Sequence, residues 1–162
     1  MPAHVILILS FVAAIGCGLV AGIFLAFSSF VMAALGRLPS DHGIAAMNAI
    51  NVTVINPVFF LAFFGTGVVC LLAVVGSVLR WSTASGALVV IAAVVYIAGC
   101  IAVTMLRNVP LNNALAAVTL GTPEAAALWA RFLGEWTLWN TVRTVASAIS
   151  AVLFTSALLT VS

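Results

Sequence analysis

Apolar residues fill four long runs, at about 5–34, 57–79, 84–106 and 141–160, and polar residues gather between them. Roughly 20 apolar residues cross a hydrocarbon core as a helix, so each run is long enough to span. An even number of spans puts both ends of the chain on one side. The second connection, Leu79-Arg80-Trp81-Ser82-Thr83, is short and carries an interfacial Trp and Arg, which predicts an antiparallel hairpin between spans two and three.

The first connection runs from Gly36-Arg37-Leu38-Pro39 to Asn56-Pro57. Ser40 is placed to cap a short helix over about 41–55 with Asp41 in its first turn, and Asn56-Pro57 ends it and opens the second span. Ile44, Met47 and Ile50 form its apolar stripe, and Asn48 and Asn51 a polar one. In the third connection Pro110 is expected to end a helix, and Thr122-Pro123-Glu124 to start an amphipathic helix over about 123–140 that leads into span four. Trp129, Trp136, Asn140, Arg143 and Ser147 follow one another at intervals of 7, 4, 3 and 4, which puts them on one face, with Trp139 offset. The expected fold is all-α: one transmembrane domain over 1–162, an integral membrane four-helix bundle with a short interfacial helix between spans one and two. Ala14, Gly18, Gly22 and Ala26 recur every fourth residue and allow close helix approach. Packing inside the bundle is the preferred use of that stripe, and a homo-oligomer contact the other.

Composition strengthens the membrane assignment. Charged residues make up 5% of the chain against roughly a quarter of a soluble domain. The cations are five arginines with no lysine, so no basic stretch exists to follow a phosphate backbone, and nucleic acid is excluded as a partner. The first apolar run is longer than a signal peptide's and reads as a retained span. Arg37, Arg107, Arg131 and Arg143 sit on the side of the long connections, which by the positive-inside rule places both termini outside.

Several chemistries are poorly supplied. Cys17, Cys70 and Cys100 lie in apolar runs without a CxxC and read as buried thiols. No paired spacing marks a metal site, and no cofactor is expected; a haem would need an axial ligand, for which His42 or His4 is the candidate. Ser28 and Ser29 have no histidine partner and can bond to their own helix. Asp41, Glu124 and Glu135 all lie in connections, which argues against a proton-coupled exporter.

What remains is a set of amides, arginines and indoles. Polar groups kept near hydrocarbon must find partners or cost several kcal/mol, which makes them functional candidates. Arg143 lies about one turn into span four, and its partner is to be sought in a carbonyl, an amide, Glu135 or an anionic ligand group. A permanent cation beside amide donors stabilises an enolate or phenolate, and aromatic walls hold a flat ring. Arg143, Asn112 and Asn140 are the candidate catalytic residues; Asn108, Asn113, Trp136, Trp139, Asn51 and Asn48 are candidates for binding a small lipophilic substrate. Arg107 reads as an interfacial anchor.

The stretches 18–28 (GLVAGIFLAFS), 43–51 (GIAAMNAIN), Asn56-Pro57, Asn108-Val109-Pro110-Leu111-Asn112-Asn113 and 136–144 (WTLWNTVRT) resemble the anthrone oxygenase-like family of four-span integral membrane proteins. That resemblance implies oxidation of flat phenolic polyketides by dioxygen without an assigned cofactor, and a location in the bacterial cytoplasmic membrane. It also implies that Arg143, Asn112 and Asn140 hold an oxyanion while Trp136 packs the ring. Glu135, Asp41 and His42 are then the candidate proton acceptors. The competing expectation is a non-catalytic membrane protein that binds a lipophilic ligand, haem or partner in the same pocket.

Overall fold

The computed structural model describes residues 3–78 and 84–160, with side chains over 4–78 and 85–160. The hairpin turn expected at 79–83 lies outside the described residues. Five continuous helices follow one another: α1 (His4–Leu35), α2 (Ser40–Thr53), α3 (Pro57–Val78), α4 (Ser85–Ala117) and α5 (Pro123–Leu159). All but α2 are long and apolar enough to cross a membrane, and the chain is a multi-pass, all-helical membrane protein.

Local chemistry sets the helix ends. Asn56 accepts the backbone N–H of Phe59 at 3.0 Å and Pro57 takes the first position of α3, where a missing N–H costs nothing. Thr122 does the same for Ala125 at 3.2 Å, ahead of Pro123 and Glu124. Ser40 does not cap α2. It is the first helical residue, Pro39 holds the extended cap position, and the Asp41 carboxylate instead accepts the backbone N–H of Gly121 at 3.0 Å. That bond ties α2 to the loop before α5.

Pro110 does not end a helix either. Two consecutive π-helical turns, Ile97–Ala102 and Thr104–Asn108, precede it, and the N–H of Val109 bonds the carbonyl of Thr104 five residues back. The widened turn already shifts the hydrogen-bond ladder, so a proline without an N–H fits there and α4 runs on to Ala117. Further π-helical turns occur at Phe27–Val31 in α1 and Leu61–Gly65 in α3.

Two cores stack along the molecule. The first, within the spans, joins Cys17, Val20 and Phe24 of α1 to Phe63 and Cys70 of α3, Tyr96 and Cys100 of α4, and Phe154 of α5. Its three cysteines are free and buried. Close approach is built in where α4 meets α5: a Cβ on Gly99 would sit 2.5 Å from that of Ala146. The second core lies under α2, where Ile44 and Met47 pack on Leu115, Ala125, Trp129, Phe132 and Trp136. Gly43 is required there, since its Cβ would fall 2.6 Å from Cζ2 of Trp129.

The small-residue stripe of α1 is split: Ala14 packs against the first core, whereas its two glycines do not. Gly18 and Gly22 are exposed, and a Cβ on either would meet nothing within 4 Å. The inner face of α1 is instead Ala13, Cys17, Val20, Ala21 and Phe24.

A cation-headed cavity between the spans

The last helix delivers the site. Trp129, Trp136, Asn140, Arg143 and Ser147 all turn inward from α5 and are buried. Arg143 is 4% exposed, and its guanidinium NH2 donates to Oδ1 of Asn140 at 2.7 Å while NH1 donates to the Thr104 hydroxyl at 3.1 Å. Its central carbon stands 4.1 Å from the ring centre of Phe24 and 5.3 Å from that of Trp136. Thr104 donates onward to the carbonyl of Cys100 at 2.8 Å, a bond that fixes its hydroxyl toward the arginine.

Asn140 holds this arrangement from behind. Its amide nitrogen donates to the carbonyl of Phe24 and to the hydroxyl of Ser28, each at 2.7 Å. Ser28 in turn meets the Thr141 hydroxyl at 2.9 Å, so it crosses to α5, while Ser29 bonds its own helix at the Leu25 carbonyl, 2.6 Å away. The amide of Asn140 is thus committed within the protein.

Among the described residues no carboxylate pairs with Arg143. Among the described residues the ion pair is Arg131 with Glu135, 3.8 Å apart and largely exposed. A buried guanidinium with only neutral acceptors and ring faces keeps its unit charge in a low-dielectric setting, and its Nε has no partner.

In front of this cation lies a cavity of about 670 Å³. Phe24 and Phe27 of α1, Phe59, Phe60, Phe63 and Phe64 of α3, and Trp136 of α5 supply aromatic wall, and Thr104 and Arg143 the charged end. The Tyr96 hydroxyl of α4 donates to the carbonyl of the wall residue Phe63 at 2.9 Å and ties α4 to α3. The exposed lining residues are mostly apolar, among them Val52, Ile55, Phe60, Phe64 and Met105, with Asn113 as an exposed amide beside them.

The sequence-derived candidates divide into groups. Asn48, Asn51, Asn112, Asn113, Trp136 and Arg143 line the cavity. Asn140 and Asn108 stand outside its wall; Asn108 is buried and donates to the carbonyl of Trp136 at 3.2 Å. Trp139 is also off the wall, with Arg107 stacked on its ring at 4.7 Å. His4 and His42 are both exposed and neither lines the cavity, so an axial haem histidine is not found there. Of the candidate proton acceptors, Glu135 pairs with Arg131 and Asp41 with Gly121, and none of the three, His42 included, lines the wall.

Sequence reading missed Thr104, Phe24 and Ser28. Thr104 could have been found, because it stands four residues before Asn108 and eight before Asn112 in an otherwise apolar run. Phe24 and Ser28 give no such signal in a run where nearly every residue is apolar.

These features define a multi-pass membrane protein with a buried cation at the head of an aromatic cavity. A model of the anthrone oxygenase family matches residues 59–153, more than half of the sequence, and the chain belongs to that family. No curated protein and no solved structure matches it significantly.

Proposed function

We propose that the protein is a membrane oxygenase that takes a flat, lipophilic phenol- or anthrone-like compound from the bilayer and oxidises it with dioxygen. The observation that carries this reading is Arg143: a buried permanent cation whose missing counter-charge faces an aromatic cavity. A ligand oxyanion supplies that charge.

The chemistry then follows from ionisation. An anthrone gives the proton of its central methylene carbon to water and becomes an enolate whose negative charge rests mainly on oxygen; a proton returns from water when the peroxide anion becomes the hydroperoxide. Arg143 pairs with that oxygen, Thr104 and Asn140 hold the guanidinium in place, and Trp136 with the phenylalanines packs the rings. The electron-rich carbon reduces dioxygen and forms a carbon–oxygen bond. Loss of water from the resulting hydroperoxide leaves the carbonyl, so anthrone and dioxygen give anthraquinone and water. Asn112 and Asn113 are further amides on the cavity wall.

The test uses purified protein in lipid nanodiscs with 1,8-dihydroxyanthrone, following oxygen uptake and anthraquinone absorbance above a protein-free control. Wild type is expected to accelerate both, and Arg143→Met to lose most of the acceleration and shift the rate–pH profile to higher pH, because the ionised substrate loses its cation. Turnover by Arg143→Met at the wild-type rate and pH profile overturns the reading.

A second reading has its own support. The three ordinary proton acceptors all lie off the cavity wall, which suits a protein that binds a preformed lipophilic anion without converting it. Tight binding of the anthrone with no oxygen uptake distinguishes this case.

A further inference from the structure

We propose that the cavity has a second, uncharged polar subsite, formed by Asn48 and Asn51 of α2 with Asn112 and Asn113 of α4, which takes a neutral hydroxyl or carbonyl at the far end of the ligand from the Arg143 oxyanion. The proposal rests on the reading of Arg143 as the anion site and adds a second anchor, and with it a ligand length.

All four amides line the cavity, and they come from two helices that meet where Asn48 bonds the carbonyl of Leu115. Three of them carry buried polar atoms without a partner: Oδ1 of Asn48, Nδ2 of Asn51 and Oδ1 of Asn112. Asn48 makes one long bond, to the carbonyl of Leu115 at 3.4 Å, which holds α2 to α4 and leaves the rest of its amide free. Unsatisfied amides gathered on one cavity wall are costly unless something bonds them. No charged residue lines that end of the cavity, so the group it accepts is neutral. Each amide both donates and accepts, which suits a hydroxyl or carbonyl equally.

Spacing along α4 sets the distance between the two ends. Thr104, which holds Arg143, and Asn112 both line the cavity and are eight residues apart, about 12 Å at the ordinary rise of a helix and somewhat less across a π turn. Phe27, Phe59, Phe63 and Trp136 wall the space between. A ligand that uses both ends is a rigid aromatic body of about three fused rings with an oxygen at each end. A single-oxygen phenol fills only the cationic end.

The experiment compares 2-hydroxyanthracene with 2,6-dihydroxyanthracene, measuring binding in nanodiscs by energy transfer from tryptophan to the probe, with empty nanodiscs subtracted. The two-oxygen probe is expected to bind wild type about tenfold more tightly, the gain of one or two neutral hydrogen bonds. Asn51→Ala and Asn112→Ala are expected to bring that ratio below about twofold while the one-oxygen probe binds as before. Asn113→Ala, at an exposed position that tolerates truncation, is expected to lower the ratio by a smaller amount. A ratio near unity in wild type, or a tenfold ratio kept by all three variants, overturns the second subsite. Arg143→Met separates the two readings: it is expected to weaken both probes in parallel. If it binds 2-hydroxyanthracene as wild type does, the anion site fails while the ratio still reports on the amides.

Discussion

Asn140 and Arg143 lie one turn apart on α5 and are joined by a 2.7 Å bond in which the amide oxygen accepts from the guanidinium. The same amide donates to Phe24 and Ser28 of α1. One side chain therefore fixes the cation and ties two spans together. Asn140→Asp would set a carboxylate against Arg143 and neutralise it within the protein. Binding of an anionic probe is expected to fall about tenfold or more, the size of one charge-assisted contact. Titration of a phenolate probe into wild type and variant checks this, and unchanged affinity would show that the arginine does not need an external anion.

Thr104 tests the other side of the guanidinium. Thr104→Val keeps the shape and removes the hydroxyl, and is expected to reduce turnover several-fold while lowering stability by only about 0.6 kcal/mol, as for membrane hydrogen bonds generally. Thr104→Ser is expected to restore the rate. Loss of activity in both variants would point to packing instead.

Gly43 faces the ring of Trp129, which stacks on Phe132 and through it on Trp136 at centroid distances of 5.7 and 6.0 Å. Gly43→Val forces that ladder to move. The expected cost is about 1–3 kcal/mol by overpacking, read as a lower midpoint in a detergent thermal-shift assay, together with weaker ligand binding because Trp136 is cavity wall.

Trp139 and Arg107 stack on each other away from the cavity. Trp139→Leu and Arg107→Gln are expected to keep turnover within about twofold, since substitutions remote from the site rarely move it further. A large loss in either would mean that the cavity extends further than its wall residues indicate.

The three cysteines sit in the spans' core with no exposure. A maleimide reagent is expected to label none of them in folded protein and all of them after denaturation in dodecyl sulfate. Labelling of native protein would reveal a solvent path through the bundle.

Much of this architecture was legible because hydrocarbon leaves so few polar residues. In α5 the spacing of Trp136, Asn140 and Arg143 placed them on one face without any knowledge of neighbours, and the Asn56-Pro57 and Thr122-Pro123 starts follow from backbone chemistry alone. What stayed hidden depends on other helices. Ser28 looked self-satisfied until Asn140 came across to it. Gly18 and Gly22 looked like packing residues, yet sequence spacing cannot say which way a wholly apolar helix faces. Pro110 looked like a stop because its effect was weighed against an ordinary α-helix, not against the widened turns that precede it.

Those widened turns have one more consequence. In a regular helix each residue advances the side-chain direction by about 100°, so the π turns in Ile97–Ala102 and Thr104–Asn108 reset the phase of everything after them. Wound as a regular α-helix with the same number of residues, α4 would turn Asn112 around the axis away from its present direction, with no side chain of the site itself altered. The chemistry of this wall is thus written partly in how the backbone winds, a form of information that comparing residue types position by position does not reveal.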